Sequence, residues 1–160
     1  MADESTASGA PAGAPGEETG RGRRGTGKGK GPLVVAAGVI VQGRRLLVVS
    51  KRAAPDVFYL PGGKPDPGET PEAALTRELG EELGVRPVAP RLLMRVEARA
   101  ALEGVPLRLT VFTTDIDGVP RPAAELAHLR WITGTGDGLR LSPALGEHIL
   151  PRLRADGLLD

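Results

Sequence analysis

GKPDPGETPEAALTRELGEELGV, residues 63 to 85, is the stretch on which the reading of this chain turns. It opens as a breaker-rich loop and continues as a helix with clear punctuation. Thr70 is a good N-cap, Pro71 suits the first helical turn, Glu72 complements the dipole, and Gly84 sits where a C′ glycine ends a helix. The spacing predicts a helix over about residues 71–83. With Glu78 as the origin and 100° per residue, Glu81 falls near −60° and Glu82 near +40°, so the three carboxylates share an arc of roughly 100°. Leu75, Leu79 and Leu83 fall at roughly +60° to +140° and form the stripe that pins the helix to a sheet. Like charges at these spacings repel, and no lysine follows at i+4 to relieve them. A hard divalent cation is the natural compensation, since magnesium takes carboxylate oxygens together with substrate phosphates. The alternative is a solvated acidic face. The preceding Gly62 and Gly63 favour the cation, because glycines allow a close backbone approach to a metal or a phosphate. Arg77 is placed to orient a carboxylate with its planar fork.

The rest of the chain suits a small enzyme. Its 160 residues fit one domain with a tail, and the absence of cysteine excludes disulfides, zinc–thiolate sites and a thiol nucleophile. Any metal is therefore held by oxygen or imidazole. The 21 basic and 20 acidic residues give no excess positive charge for dedicated nucleic-acid binding. The longest apolar run, Leu33 to Val41, is too short to span a bilayer and follows no signal-like start, so a cytoplasmic protein with no membrane partner is expected. Residues 1–31 hold nine of the 23 glycines and no large apolar residue after Met1, which predicts a disordered tail ahead of a domain over 32–160. The tail's Arg21, Arg23, Arg24, Lys28 and Lys30 read as solvated charge.

From Leu33, LVVAAGVIV and RRLLVVS read as two strands joined by a tight hairpin at Gln42-Gly43. The stretch from Pro61 to Gly68 reads as a loop. LLMRVEARA, VPLRLTVFTTDI and residues 128–133 read as further strands, and residues 143–153 as an amphipathic helix. The fold class is mixed α/β with a substantial antiparallel part.

Residues 63–85 resemble the Nudix box, GX5EX7REUXEEXGU with U aliphatic, at Gly63, Glu69, Arg77, Glu78, Leu79, Glu81, Glu82, Gly84 and Val85. The lead-in Phe58-x-Leu60-Pro61-Gly62-Gly63 is also similar to the family's, and the resemblance extends over about residues 33–155. It implies the Nudix fold, a mixed β-sheet sandwiched between α-helices (α/β/α), and hydrolysis of a diphosphate linkage with Mg²⁺, for which Mn²⁺ substitutes. By position it implies that Glu78, Glu81, Glu82 and the Gly62 carbonyl bind the metal, while Arg77 and Glu69 hold the acids in place. Glu125, six residues before Trp131, matches the place of a further glutamate in MutT-type members, or else is a surface carboxylate. Glu78 and Glu125 compete for the general-base role. Arg52 matches a substrate-contacting arginine, its alternative being an exposed strand-end charge. Gly63 and Tyr59 are the remaining candidates for substrate contact, Tyr59 by stacking on a base. His128 and His148 lie outside the box and read as structural or exposed.

The substrate implied is a nucleoside triphosphate or related nucleoside diphosphate derivative. ADP-ribose, a nucleotide sugar or a dinucleotide is the alternative, and a non-catalytic sensor the third reading. Members that select oxidised guanine nucleotides use an asparagine near the start of the last helix, whereas the corresponding stretch here is Ser142-Pro143-Ala144-Leu145-Gly146. With no Asn and only Gln42 in the chain, an unmodified small nucleotide and modest base selectivity are expected, in a monomer.

Overall fold

The computed structural model describes residues 32–101 and 104–160, together with a short parallel pairing of Thr19–Gly20 with Gly22–Arg23. That pairing belongs to a separate unit, Met1–Pro32. The expected disordered tail otherwise lies outside the described residues.

In the unit Leu33–Asp160, the strands are β1 (Leu33–Val39), β2 (Val41–Gln42), β3 (Arg45–Lys51), β4 (Ala54–Tyr59) and β5 (Gly62–Gly63). After α1 (Pro71–Leu83) come β6 (Arg86–Arg99), β7 (Pro106–Asp117), β8 (Leu126–Ile132) and β9 (Arg140–Leu141). A π turn (Leu145–Ile149) then leads into α2 (Leu150–Ala155). One sheet has the order β5-β1-β7-β6, with β1 and β7 parallel. The other runs β8-β3-β4-β9, with β2 also on β3.

The layering follows from β3, whose RLLVVSK is buried on both faces. Leu46 and Val48 enter a core with Ile149, Leu150 and Leu153 of the C-terminal segment, whereas Leu47 and Val49 meet Leu75, Leu79 and Leu83 of α1. Alternate side chains of a strand point to opposite faces, so the two helices cover opposite sides: the α/β/α sandwich expected from the sequence. No helix among the described residues is long and apolar enough to cross a membrane.

Several boundaries differ from the sequence reading. The hairpin turn lies at Gly43-Arg44, both with left-handed φ (57° and 62°), not at Gln42-Gly43. Two consecutive left-handed residues are what a two-residue hairpin turn requires, and the Arg44 guanidinium is bonded to Asp160 Oδ1 at 2.7 and 2.9 Å and to the Gly157 carbonyl at 3.1 Å. Only Val41–Gln42 pairs across that turn, since β1 joins the other sheet. The expected C-terminal helix is interrupted by the π turn, where the Leu150 N–H donates to the Leu145 carbonyl. Pro151 supplies the reason: it lacks an N–H and its ring crowds the carbonyl four residues earlier, which widening the turn relieves. β6 begins well before Leu92 and carries Pro87 and Pro90, as an edge strand permits, with left-handed Ala89 absorbing an extra residue.

The most consequential difference is at Gly62-Gly63, a two-residue strand on Ala36 and Ala37 instead of a loop. Gly62 has φ 149°, and a Cβ there would stand 2.0 Å from the Ala36 carbonyl oxygen. Gly62→Ala is therefore expected to destabilise the protein by at least about 2 kcal/mol in denaturant titration. A change within about 0.5 kcal/mol would mean the β1–β5 contact relaxes freely.

Candidate active site

α1 starts and stops as its sequence dictates: the Thr70 hydroxyl accepts the Ala73 N–H at 3.1 Å, and left-handed Gly84 (φ 69°) donates to the Gly80 carbonyl. This fixes the angular positions of the acids, but their side chains diverge. Glu82 is 3% exposed, Glu78 is half-buried, and Glu81 points outward.

Arg77 ties the site together. Its Nε and Nη2 donate to Glu69 Oε2 and Oε1 at 3.0 and 2.9 Å, Nη2 also reaches the Lys64 carbonyl at 3.0 Å, and Nη1 donates to Glu78 Oε2 at 3.1 Å and Glu81 Oε1 at 3.4 Å. The loop before the helix closes on itself through Asp66 N–H to Glu69 Oε1 at 2.8 Å. The hydrogen bonds from Arg77, then that from the Asp66 backbone, hold the Glu69 pKa at about 2. The guanidinium's own pKa is raised, chiefly by Glu69.

Glu78 and Glu82 respond in the opposite sense. Burial raises the Glu78 pKa against the pull of Arg77. Burial, then the charge of Glu78, lifts Glu82 to about 7, although the Gly62 N–H and the Lys51 charge oppose the shift. Glu82 Oε1 is buried with no hydrogen-bond partner. Gly63 makes room for this pair, since a Cβ there would lie 2.3 Å from the Glu78 carboxyl.

Glu125 enters from the loop between β7 and β8. That loop is fastened to the end of α1 by the Arg121 N–H on the Leu83 carbonyl (3.1 Å) and the Ala123 N–H on the Glu82 carbonyl (2.8 Å). Glu125 lines a cavity of roughly 480 Å³ together with Glu78, Glu82, Gly62, Gly63, Tyr59, Lys51 and Ser142. Its charge contributes to raising both Glu78 and Glu82.

Two sequence-predicted placements differ. Arg52 is exposed and does not line the cavity; its backbone N–H bonds the Glu125 carbonyl at 2.9 Å. Adjacent side chains on a strand end face opposite ways, and it is Lys51 that faces inward, its Nζ 5.7 Å from the centre of the Tyr59 ring. The strand β4, with Pro55 and Asp56 obscuring its pattern, is what sets this register, and it carried no signal in the sequence reading. The second difference is Glu81, turned to Arg77 and solvent, and no three acidic or histidine side chains among the described residues gather on one cation position. The donor set nevertheless suits a hard cation, because a buried carboxylate oxygen without a partner beside a second carboxylate takes up either a proton or a cation.

The NUDIX domain model matches residues 32–134, most of the described unit. The chain belongs to the Nudix hydrolase family. A Mycobacterium tuberculosis protein provisionally named as an 8-oxo-dGTP diphosphatase is 38% identical over 103 residues, 62% of this chain and 72% of its own. The Escherichia coli 8-oxo-dGTP diphosphatase is 38% identical over 69 residues, 41% of this chain and 54% of its own. Among solved structures, a MutT Nudix hydrolase from Burkholderia pseudomallei superposes with a TM-score of 0.59 at 30% identity, over 67% of this chain and 87% of its own. The helix of this Nudix domain thus carries the acids, and Arg77 with Glu69 forms the brace between that helix and the loop before it.

Proposed function

We propose that this Nudix hydrolase cleaves a phosphoanhydride of a nucleoside triphosphate or related nucleoside diphosphate derivative with the help of Mg²⁺ or Mn²⁺, acting as a cytoplasmic monomer. The observation that carries the reading is the buried, unpartnered Glu82 oxygen beside Glu78 in a cavity that Glu125 also lines. Glu78 and Glu82 would hold the cation, Glu81 joining them by releasing Arg77, with the backbone of Gly62 at hand. The cation supplies charge neutralisation at the phosphoryl oxygens and a more acidic bound water. Glu78 or Glu125 accepts the proton of the attacking water, a contribution of typically ~10² to 10⁴ in rate. Lys51 offers a positive charge to a substrate phosphate. Arg77 keeps Glu78 in one orientation through catalysis. The test is phosphate release from nucleotides with Mg²⁺ and in excess chelator: full activity in chelator sinks the proposal.

The relatives' names bring 8-oxo-dGTP into the substrate panel, while Ser142, from the stretch that by resemblance corresponds to the base-reading amide, lines the cavity. The Ser142 N–H is already spent on the Phe58 carbonyl, at 2.8 Å, and its hydroxyl oxygen accepts the Leu145 N–H at 3.4 Å, so the side chain offers a base little beyond the hydroxyl proton. A site with no side-chain amide among its lining residues, relying on shape and stacking, discriminates by about 10², far below the ~10⁴ to 10⁵ of a site built on a specific hydrogen bond. The ratio of kcat/KM for 8-oxo-dGTP over dGTP is therefore expected below about 10³. A larger ratio overturns this selectivity, and ADP-ribose as the best substrate moves the assignment to nucleoside diphosphate derivatives.

A further inference from the structure

The cavity continues away from the acids as an aliphatic surface. Leu33 and Val35 of β1 stand in register with Leu107 and Leu109 of β7, and Leu60 and Leu145 also line this space. Leu33, Val35 and Leu107 are only partly buried: β5 pairs β1 only at Ala36 and Ala37, so among the described residues no strand covers the outer edge of β1 at Leu33 and Val35. All three line the cavity. At about 3.3 Å per strand residue, Leu33 lies roughly 13 Å along β1 from Ala37, where Gly62 is paired. A ligand whose diphosphate sits by Gly62, Glu78 and Glu82 thus has about that length of apolar track to follow. A nucleobase laid on this track finds few partners for its polar edge, since the chain has no asparagine and its one glutamine, Gln42, is in the β2 hairpin. An alkyl or alkenyl chain loses nothing by burial there and gains by leaving water.

We infer that the site has a second activity, the hydrolysis of diphosphate esters of aliphatic alcohols about ten carbons long. This goes beyond the nucleotide reading but rests on it for the reacting end. Water adds to phosphorus and the bridging P–O bond breaks. The water proton passes to Glu78 or Glu125 and then to the departing phosphate, leaving an alkyl monophosphate and inorganic phosphate.

The experiment measures phosphate release by the full chain with Mg²⁺ from geranyl diphosphate, dimethylallyl diphosphate, inorganic pyrophosphate and a set of nucleoside triphosphates. Geranyl diphosphate is expected within about tenfold of the best nucleotide in kcat/KM, and at least about tenfold above its five-carbon analogue, because each added carbon meets the apolar track. Leu107→Glu, at a partly exposed position, is expected to lower kcat/KM for geranyl diphosphate at least about tenfold more than for the best nucleotide, with folding checked by thermal melting. Nucleotide hydrolysis without geranyl hydrolysis, or equal rates for the ten- and five-carbon esters, overturns this inference and leaves the nucleotide reading standing. Hydrolysis of neither class overturns both.

Discussion

Glu82→Gln is expected to lower kcat by about 10² or more while raising the stability of the metal-free protein at neutral pH. Both effects come from one fact: the folded chain surrounds Glu82 with apolar atoms and a second carboxylate, and lifts its pKa from 4.5 to about 7. In the interval between those values the native state holds a proton that the unfolded chain has released. The stabilisation is complete below about 4.5, and is lost as pH rises through about 7. That shift corresponds to about 3 kcal/mol as an upper figure. Burial makes Glu78 shift in the same direction. Glu69 acts oppositely and lower down: its depressed pKa gives stability present above about 4.5 and lost as pH falls toward about 2. Metal-free protein should therefore grow more stable on acidification from pH 7.5 to 5, and the glutamine variant should show much less of this slope. With saturating Mg²⁺ the trend should reverse, because the cation binds the ionised carboxylates. Denaturant titrations at several pH values, with and without chelator, measure this. An unchanged slope in Glu82→Gln, or wild-type turnover, would show that Glu82 is not the group that the fold holds poised.

Arg77→Lys is the second large effect, about 10² in kcat despite the conserved charge. Arg77 bonds Glu69 through two nitrogens and reaches Glu78, Glu81 and the Lys64 carbonyl with the same planar group. An ammonium has neither the fork nor the span. The lysine variant should also bind Mg²⁺ more weakly, a readout independent of turnover, since Glu78 is no longer oriented. Activity within threefold of wild type would demote Arg77 to surface electrostatics.

How far these features were legible depended on whether the signal was local. The caps of α1, its buried leucines and the common arc of its acids follow from helical periodicity, and they agree with the folded chain at Thr70, Leu79 and Gly84. The parting of Glu81 from Glu82 was not legible, because 100° of arc spans both the buried edge and the solvent side, and packing alone decides which. Position 51 replaced 52 at the cavity for a similar reason. A strand's facing is set by its partner, and β4 pairs Lys51 with Ala54 through a segment whose Pro55 and Asp56 hide its strand character. The strand at Gly62-Gly63 was invisible because its pairing with Ala36-Ala37 is non-local, although the two glycines marked a close approach.

The double burial of β3 has a consequence for how this protein tolerates change. Its odd and even residues serve different helices, so a one-residue insertion or deletion there exchanges the two cores at once and turns Lys51 out of the cavity. Length variation should be lethal within residues 45–51 and mild in the segment 118–120, which precedes the Arg121 and Ala123 anchors. In a library of random indels, descendants that alter substrate choice should arise from the second segment, and the first should return almost none.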